Sequence, residues 1–321
     1  MTRRAQRPAR SAVLTAPARW RAWLPLTLAC LLWTGASQAL SPRQQAGEYL
    51  ARAAGCITCH TDKEGKGALL AGGHALKTPF GVFHSPNITP HPELGIGRWT
   101  SADLYRALHE GVNPAGEHYY PVFPYTSYTR MRREDVTLLW EWLQTVPPVA
   151  RANRPHEPVW YAGWRGLLGL WKWRHFRPGE QRDEPGRDAA LNRGDYLAAI
   201  GHCQECHTPR GREGAMDGTR AFAGAPASAG FEGAPNITPD RATGLGRWRE
   251  RDFVEYFSSG ARPDGDYAGS LMADVVDDGL KYLTPEDARA LARYLRNLPP
   301  LPSAGGARKQ AAKKKPANDD Y

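Results

Sequence analysis

Cys56-Ile57-Thr58-Cys59-His60 and Cys203-Gln204-Glu205-Cys206-His207 stand 147 positions apart and share the pattern Cys-x-x-Cys-His. Two thiols at this spacing can each add to one vinyl group of a single haem. The histidine that follows then lies beneath the iron and offers an imidazole nitrogen as proximal ligand. A lone Cys-x-x-Cys also serves as a redox pair or as half of a zinc site. Two copies, each embedded in the same longer repeat, favour two covalently bound haem c groups, with His60 and His207 on iron and Cys56, Cys59, Cys203 and Cys206 as anchors.

An electron-transfer haem usually carries a second protein ligand, and methionine opposite histidine raises the potential. Beyond Met1 the chain offers Met131, Met216 and Met272. Met216 follows His207 by nine residues, too few to reach the opposite haem face easily. Met272 follows it by 65 and precedes Thr284 by 12, a reach suited to the distal side. For the first iron three options stand: ligation by Met131, an open position, or a histidine such as His118. Trp99 and Trp248, with Arg98 and Arg247, carry N–H donors suited to the haem propionates.

The elements that position these residues repeat. Gly47-Glu48-Tyr49-Leu50 precedes the first motif and Gly194-Asp195-Tyr196-Leu197 the second at the same spacing. Pro86-Asn87-Ile88-Thr89-Pro90 recurs as Pro235-Asn236-Ile237-Thr238-Pro239, and Gly95-Ile96-Gly97-Arg98-Trp99 as Gly244-Leu245-Gly246-Arg247-Trp248. Each half ends on an amphipathic helix before a proline pair, predicted over residues 133–146 and 285–298. Thr284 is a good N-cap, with Pro285 at the first helical position and Asp287 three residues after the cap. In each half the first and last helices are expected to cross, Gly47 or Gly194 allowing close approach to Trp142 or Tyr294. A 149-residue offset between the halves sets Phe123, which cannot ligate iron, opposite Met272. Met131 aligns with Leu283 by its place just before the closing helix, where an apolar residue commonly packs.

The predicted organisation is a signal peptide (1–39), a haem domain (40–150), a tryptophan-rich linker (151–186), a second haem domain (187–301) and a disordered lysine-rich tail (302–321). The leader has six arginines, no acid and an apolar run over residues 23–36, followed by Ser37-Gln38-Ala39 as a cleavage site. Without it the net charge falls from +9 to +3. Further basic residues lie in the tail and four haem propionates add negative charge, so a pI of 9.4 is no sign of nucleic-acid binding. All four cysteines past the leader belong to the haem motifs, so no disulfide is expected.

The chain resembles class I cytochromes c, and more closely the cytochrome c subunits of periplasmic alcohol, aldehyde and gluconate dehydrogenases and their stand-alone dihaem relatives. The residues that carry this are the paired Asn-Ile-Thr-Pro and Gly-x-Gly-Arg-Trp segments, Tyr119-Tyr120-Pro121-Val122-Phe123-Pro124-Tyr125-Thr126-Ser127-Tyr128, and the stretch from His202 to Gly211. The resemblance implies an all-α fold of two tandem class I cytochrome c domains with long loops. It also implies Met272 as a distal ligand, because Gly269-Ser270-Leu271-Met272-Ala273-Asp274-Val275-Val276 matches the family pattern. Dehydrogenase subunits of this kind typically have three haem domains; this chain has two.

Residues 159–176 are unusually aromatic. Trp160, Trp164, Leu167, Leu168 and Trp171 fall on one face of a helix, flanked by Arg165, Lys172 and Arg174. A linker that clamps the two haem domains is the preferred expectation, and a membrane-surface helix the second. The expected function is a periplasmic dihaem cytochrome c, soluble or peripheral on the inner membrane. It would carry single electrons from a dehydrogenase to a cytochrome or terminal oxidase. A dihaem peroxidase-like enzyme with an open first iron is the alternative. No nucleophile–base pair is visible.

Overall fold

The computed structural model describes residues 39–228 and 231–304; the leader and most of the tail lie outside them. Helix α1 (Pro42–Ala53) starts on a Ser41 capping box with Pro42 in its first turn. It runs into the one-turn helix α2 (Cys56–His60). Strands β1 (Ala75–Thr78) and β2 (Gly81–His84) follow, then α3 (Ser101–Glu110), α4 (Tyr125–Tyr128) and α5 (Arg133–Leu143). Strand β3 (Glu157–Pro158) and α6 (Gly166–His175) form the connection. The second half comprises α7 (Ala189–Ile200), α8 (Cys203–His207), α9 (Glu250–Ser259), α10 (Ser270–Asp278) and α11 (Pro285–Arg296). Among the described residues no helix is long and apolar enough to cross a membrane.

The expectation of an all-α chain needs one correction. β1, β2 and β3 form a small antiparallel sheet, with Leu76 opposite Phe83 and Val82 opposite Glu157. Its outer strand is only two residues of the connection, too short for any periodicity to register. Thus the connection is stitched to the first half before it reaches α6.

Within each half the first helix crosses the last. A methyl on Gly47 would lie 2.1 Å from the Leu138 carbonyl oxygen and 2.7 Å from Trp142 Cβ. On Gly194 it would lie 2.1 Å from Ala290 O and 2.6 Å from Tyr294 Cβ. Only glycine lets the backbones approach this closely. The α11 N-cap forms as the sequence predicts, Thr284 Oγ1 accepting from the Asp287 N–H at 3.2 Å.

The Asp287 carboxylate, however, does not turn back to that cap. It accepts from Tyr49 Oη at 2.5 Å and from Arg193 Nη2 at 2.6 Å. Reciprocally, Tyr196 Oη donates to Asp135 in the first turn of α5. The repeated Gly-x-Tyr-Leu tyrosines therefore cross between the halves, each bonding the other half's closing helix. Core residues of both halves join one hydrophobic cluster, from Leu50, Leu139 and Trp142 to Tyr196, Leu291 and Tyr294.

Candidate haem sites

The one-turn helix α2 begins at Gly55, in the left-handed region (φ 69°), and α8 begins at His202 in the same region (φ 46°). This sharp entry lets each Cys-x-x-Cys-His leave its long helix at an angle and form a turn of its own, bringing both thiols and the imidazole into one neighbourhood. His60 Nδ1–H donates to the Pro86 carbonyl at 2.8 Å, and His207 Nδ1–H donates to Pro235 O at 2.8 Å. A carbonyl can only accept, so each ring is fixed in the tautomer that keeps Nε2 unprotonated and available to a metal. Burial lowers the pKa of both histidines, which favours the neutral imidazole. It also raises the Cys56 and Cys203 thiols to about 12 and Cys59 to about 11. Two thiols and a preoriented imidazole per motif fit a covalently attached haem, and among the described residues no three-residue His/Cys/Asp/Glu cluster suggests another metal.

The carbonyls that hold the histidines are themselves secured by the Pro-Asn-Ile-Thr-Pro turns. Asn87 Oδ1 accepts from the Thr89 N–H at 3.0 Å, and its Nδ2 donates to Val149 O at 2.8 Å and Arg151 O at 3.1 Å. Asn236 accepts from Thr238 N–H at 2.9 Å and donates to Leu301 O at 2.7 Å. Both asparagines are 2% exposed, so these bonds replace water entirely. Asn87→Ala would leave the part-buried Val149 and Arg151 carbonyls without this partner and cost about 2 kcal/mol, read as a lower urea midpoint.

The two motifs meet. A methyl on Gly55 would lie 2.8 Å from His202 Nε2, and one on Gly201 would lie 3.3 Å from Ala53 O. Cys206 adds to the upward shift of Cys59. Tyr128 Oη donates to Ala54 O at 2.6 Å while its ring meets that of His202 edge-on at 5.8 Å. Across the same junction Lys63 pairs with Asp274 at 2.9 Å and Asp278 at 2.7 Å, tying α10 to the segment after His60. Glu205 is a site residue that motif spacing alone does not single out. This carboxylate lies inside the second motif with 9% of its side chain exposed, paired with Arg210. It accepts from Thr126 Oγ1 at 2.5 Å and Ser127 Oγ at 2.8 Å, both from α4 of the first half. An acidic residue between the two cysteines of the motif is the signal that could have drawn attention to it.

The other candidates differ in setting. Met272 lies part-buried in the first turn of α10. Met131 is 0% exposed in the hydrophobic cluster, and its carbonyl accepts from His109 Nε2 at 2.6 Å. Phe123 packs among Tyr119, Tyr125 and Tyr128. His118 Nδ1 lies 3.0 Å from Lys172 Nζ, in the linker's embrace. Trp99 and Trp248 pack against the core, whereas Arg98 and Arg247 point outward, Arg98 lying 3.7 Å from Glu93.

Anchoring thiols paired with carbonyl-oriented histidines define a c-type cytochrome. No protein-family model matches the chain. A diheme cytochrome c-type protein of Cereibacter sphaeroides is 43% identical over 264 residues, covering 79% of this chain and 86% of the relative. The cytochrome c subunit of a quinone alcohol dehydrogenase from Gluconacetobacter polyoxogenes is 38% identical, covering 82% of this chain and 57% of the subunit. That of gluconate 2-dehydrogenase from Pantoea cypripedii is 38% identical, covering 85% and 63%. The chain thus belongs to the cytochrome c family that includes diheme cytochromes and the cytochrome c subunits of alcohol, gluconate and fructose dehydrogenases. It is an electron-transfer protein with covalently bound haem c, not a catalytic subunit. It spans less than two thirds of the dehydrogenase subunits' length.

Proposed function

We propose that this protein is an exported, periplasmic dihaem cytochrome that takes single electrons from a dehydrogenase and delivers them to a further cytochrome or terminal oxidase. The observation that carries the proposal is the junction of the two attachment helices, where Gly55 faces His202 and Tyr128 bridges to Ala54. Residues 40–150 and 187–301 would each hold one haem, with 151–186 linking them. Names of the relatives supply the dehydrogenase as donor class.

Haem c, when bound, supplies a one-electron iron couple whose potential follows its axial ligands and surroundings. The chain's own work is to hold two such groups at a fixed separation and keep water away from them. His60 and His207 are aligned by Pro86 and Pro235, and the Asn87 and Asn236 turns fix those carbonyls. Reciprocal Tyr49–Asp287 and Tyr196–Asp135 bonds prevent the halves from sliding, so the path between them stays constant. Met272, together with His207, would hold the second iron in this proposal. Met131, enclosed on every side, serves the core, since a sulfur that binds iron needs one open side.

An anaerobic titration tests this. The holo-protein should accept two electrons, one per haem, from a dehydrogenase with its substrate, and pass them to an oxidised monohaem cytochrome. Failure to take electrons from any such donor, or steady peroxide reduction instead, would sink the relay.

A further inference from the structure

The linker helix α6 has two faces of different character. Its inner face is committed to protein: Trp171 Nε1 donates to Glu213 O at 2.8 Å, Lys172 Nζ donates to Glu110 O, and the Phe176 ring meets Tyr125 at 5.1 Å. Since Glu110 belongs to α3 and Glu213 follows α8, this face bridges both halves. Its outer face is bare, as is the turn segment ahead of it. On α6 Leu167 is 51% exposed, Leu170 60% and Trp173 73%; in the preceding segment Trp160 is 83% exposed and Trp164 70%. The expected single helical face from Trp160 to Trp171 is thus corrected: the helix starts only at Gly166, Trp160 and Trp164 lie in the turn segment ahead of it, and Leu170 and Trp173 are exposed while Trp171 turns in. Single exposed apolar residues are ordinary; three tryptophans and two leucines exposed within residues 160–173 are not.

We propose that this stripe lies in the headgroup zone of an anionic lipid bilayer. Charge is the first argument. Residues 158–179 contain no acid, and Arg165, Arg174 and Arg177 are exposed there. Arg174 reaches Glu213 at 3.4 Å and Arg165 reaches Glu117 at 4.0 Å, but these are exposed pairs, weak enough to yield to lipid phosphate. Residue type is the second. Tryptophan favours the membrane–water boundary, and a short helix with an aromatic-aliphatic face and cationic flanks is the usual form of an interfacial anchor. The third is rigidity. The inner face already holds α6 against both halves, so the stripe loses little freedom on docking and the whole cytochrome takes one orientation on the surface.

The test is co-sedimentation of the holo-protein, as purified from cells, with vesicles of phosphatidylethanolamine and phosphatidylglycerol, read by haem absorbance. The wild type should bind, and binding should fall at least tenfold in W160S/W164S/W173S and several-fold in L167Q/L170Q. Vesicles of neutral lipid alone, or raised salt, should also weaken it several-fold. Unchanged haem spectra and thermal midpoints would establish that the variants are folded. A wild type that ignores anionic vesicles, or variants that bind them as well as wild type, would overturn the proposal. So would variants that keep vesicle binding but no longer accept electrons from a dehydrogenase, which would assign the stripe to a protein partner.

Discussion

Replacing Met272 by alanine is expected to lower the potential of one haem by on the order of a few tenths of a volt, because axial ligation is the strongest lever a cytochrome has on its iron. The other haem should keep its potential. A redox titration followed optically would show one wave displaced and the other in place. The substituted haem should also gain a high-spin fraction that binds carbon monoxide. Met131→Ala is the comparison that gives the result meaning. Met131 is fully enclosed and belongs to the same hydrophobic cluster as Tyr128, Val136 and Leu139. Its loss should cost about 2–4 kcal/mol by leaving a cavity, with both potentials unmoved. If Met272→Ala lowers only stability, Met272 is a core residue and the sulfur assignment fails. If Met131→Ala shifts a potential, the first iron draws its sixth ligand from there.

The difference between these two methionines is one that spacing alone does not resolve. Both stand ahead of a closing helix at a plausible reach from their motif, and periodicity carries no information about which side of a residue is open. What spacing does convey is local. The Cys-x-x-Cys-His turns, the caps and the paired Asn-Ile-Thr turns arise from residues close in sequence, and the structure forms them where the pattern indicates. Gly47 and Gly194 were legible for a related reason, since a glycine in a helix interior is costly unless something must come close. The long-range features were not legible. Tyr49 and Tyr196 repeat in the sequence, yet nothing local says that each bonds the opposite half rather than its own. Glu205 likewise looks like an exposed filler between two cysteines until α4 closes over it with Thr126 and Ser127. For α6 a helix was readable, but neither its start at Gly166 nor its phase was. Aromatic residues nearly surround it, and only the attachment of Trp171 and Lys172 decides which face turns outward.

Gly194→Ala is expected to be among the most damaging single-methyl additions in the chain, costing about 3 kcal/mol or more. The added Cβ would meet the Ala290 carbonyl oxygen at 2.1 Å and Tyr294 Cβ at 2.6 Å, and neither is the free end of a flexible side chain. Relief requires α7 and α11 to separate. That motion strains the neighbouring Arg193–Asp287 pair, whose Arg193 guanidinium has its pKa raised chiefly by the Asp287 hydrogen bond. The same movement drags α8, which follows α7 after two residues, away from its contact with Gly55. Stability and inter-haem electron exchange should therefore decline together, in urea denaturation and in rapid-mixing reduction kinetics respectively. Gly166→Ala supplies the opposite case: nothing lies within 4 Å of the added methyl at the first residue of α6, and alanine is the better helix former. That variant should unfold within about 0.5 kcal/mol of wild type or slightly above it. If the two substitutions had equal effects, the close crossing of α7 and α11 would not be what holds the second motif in place.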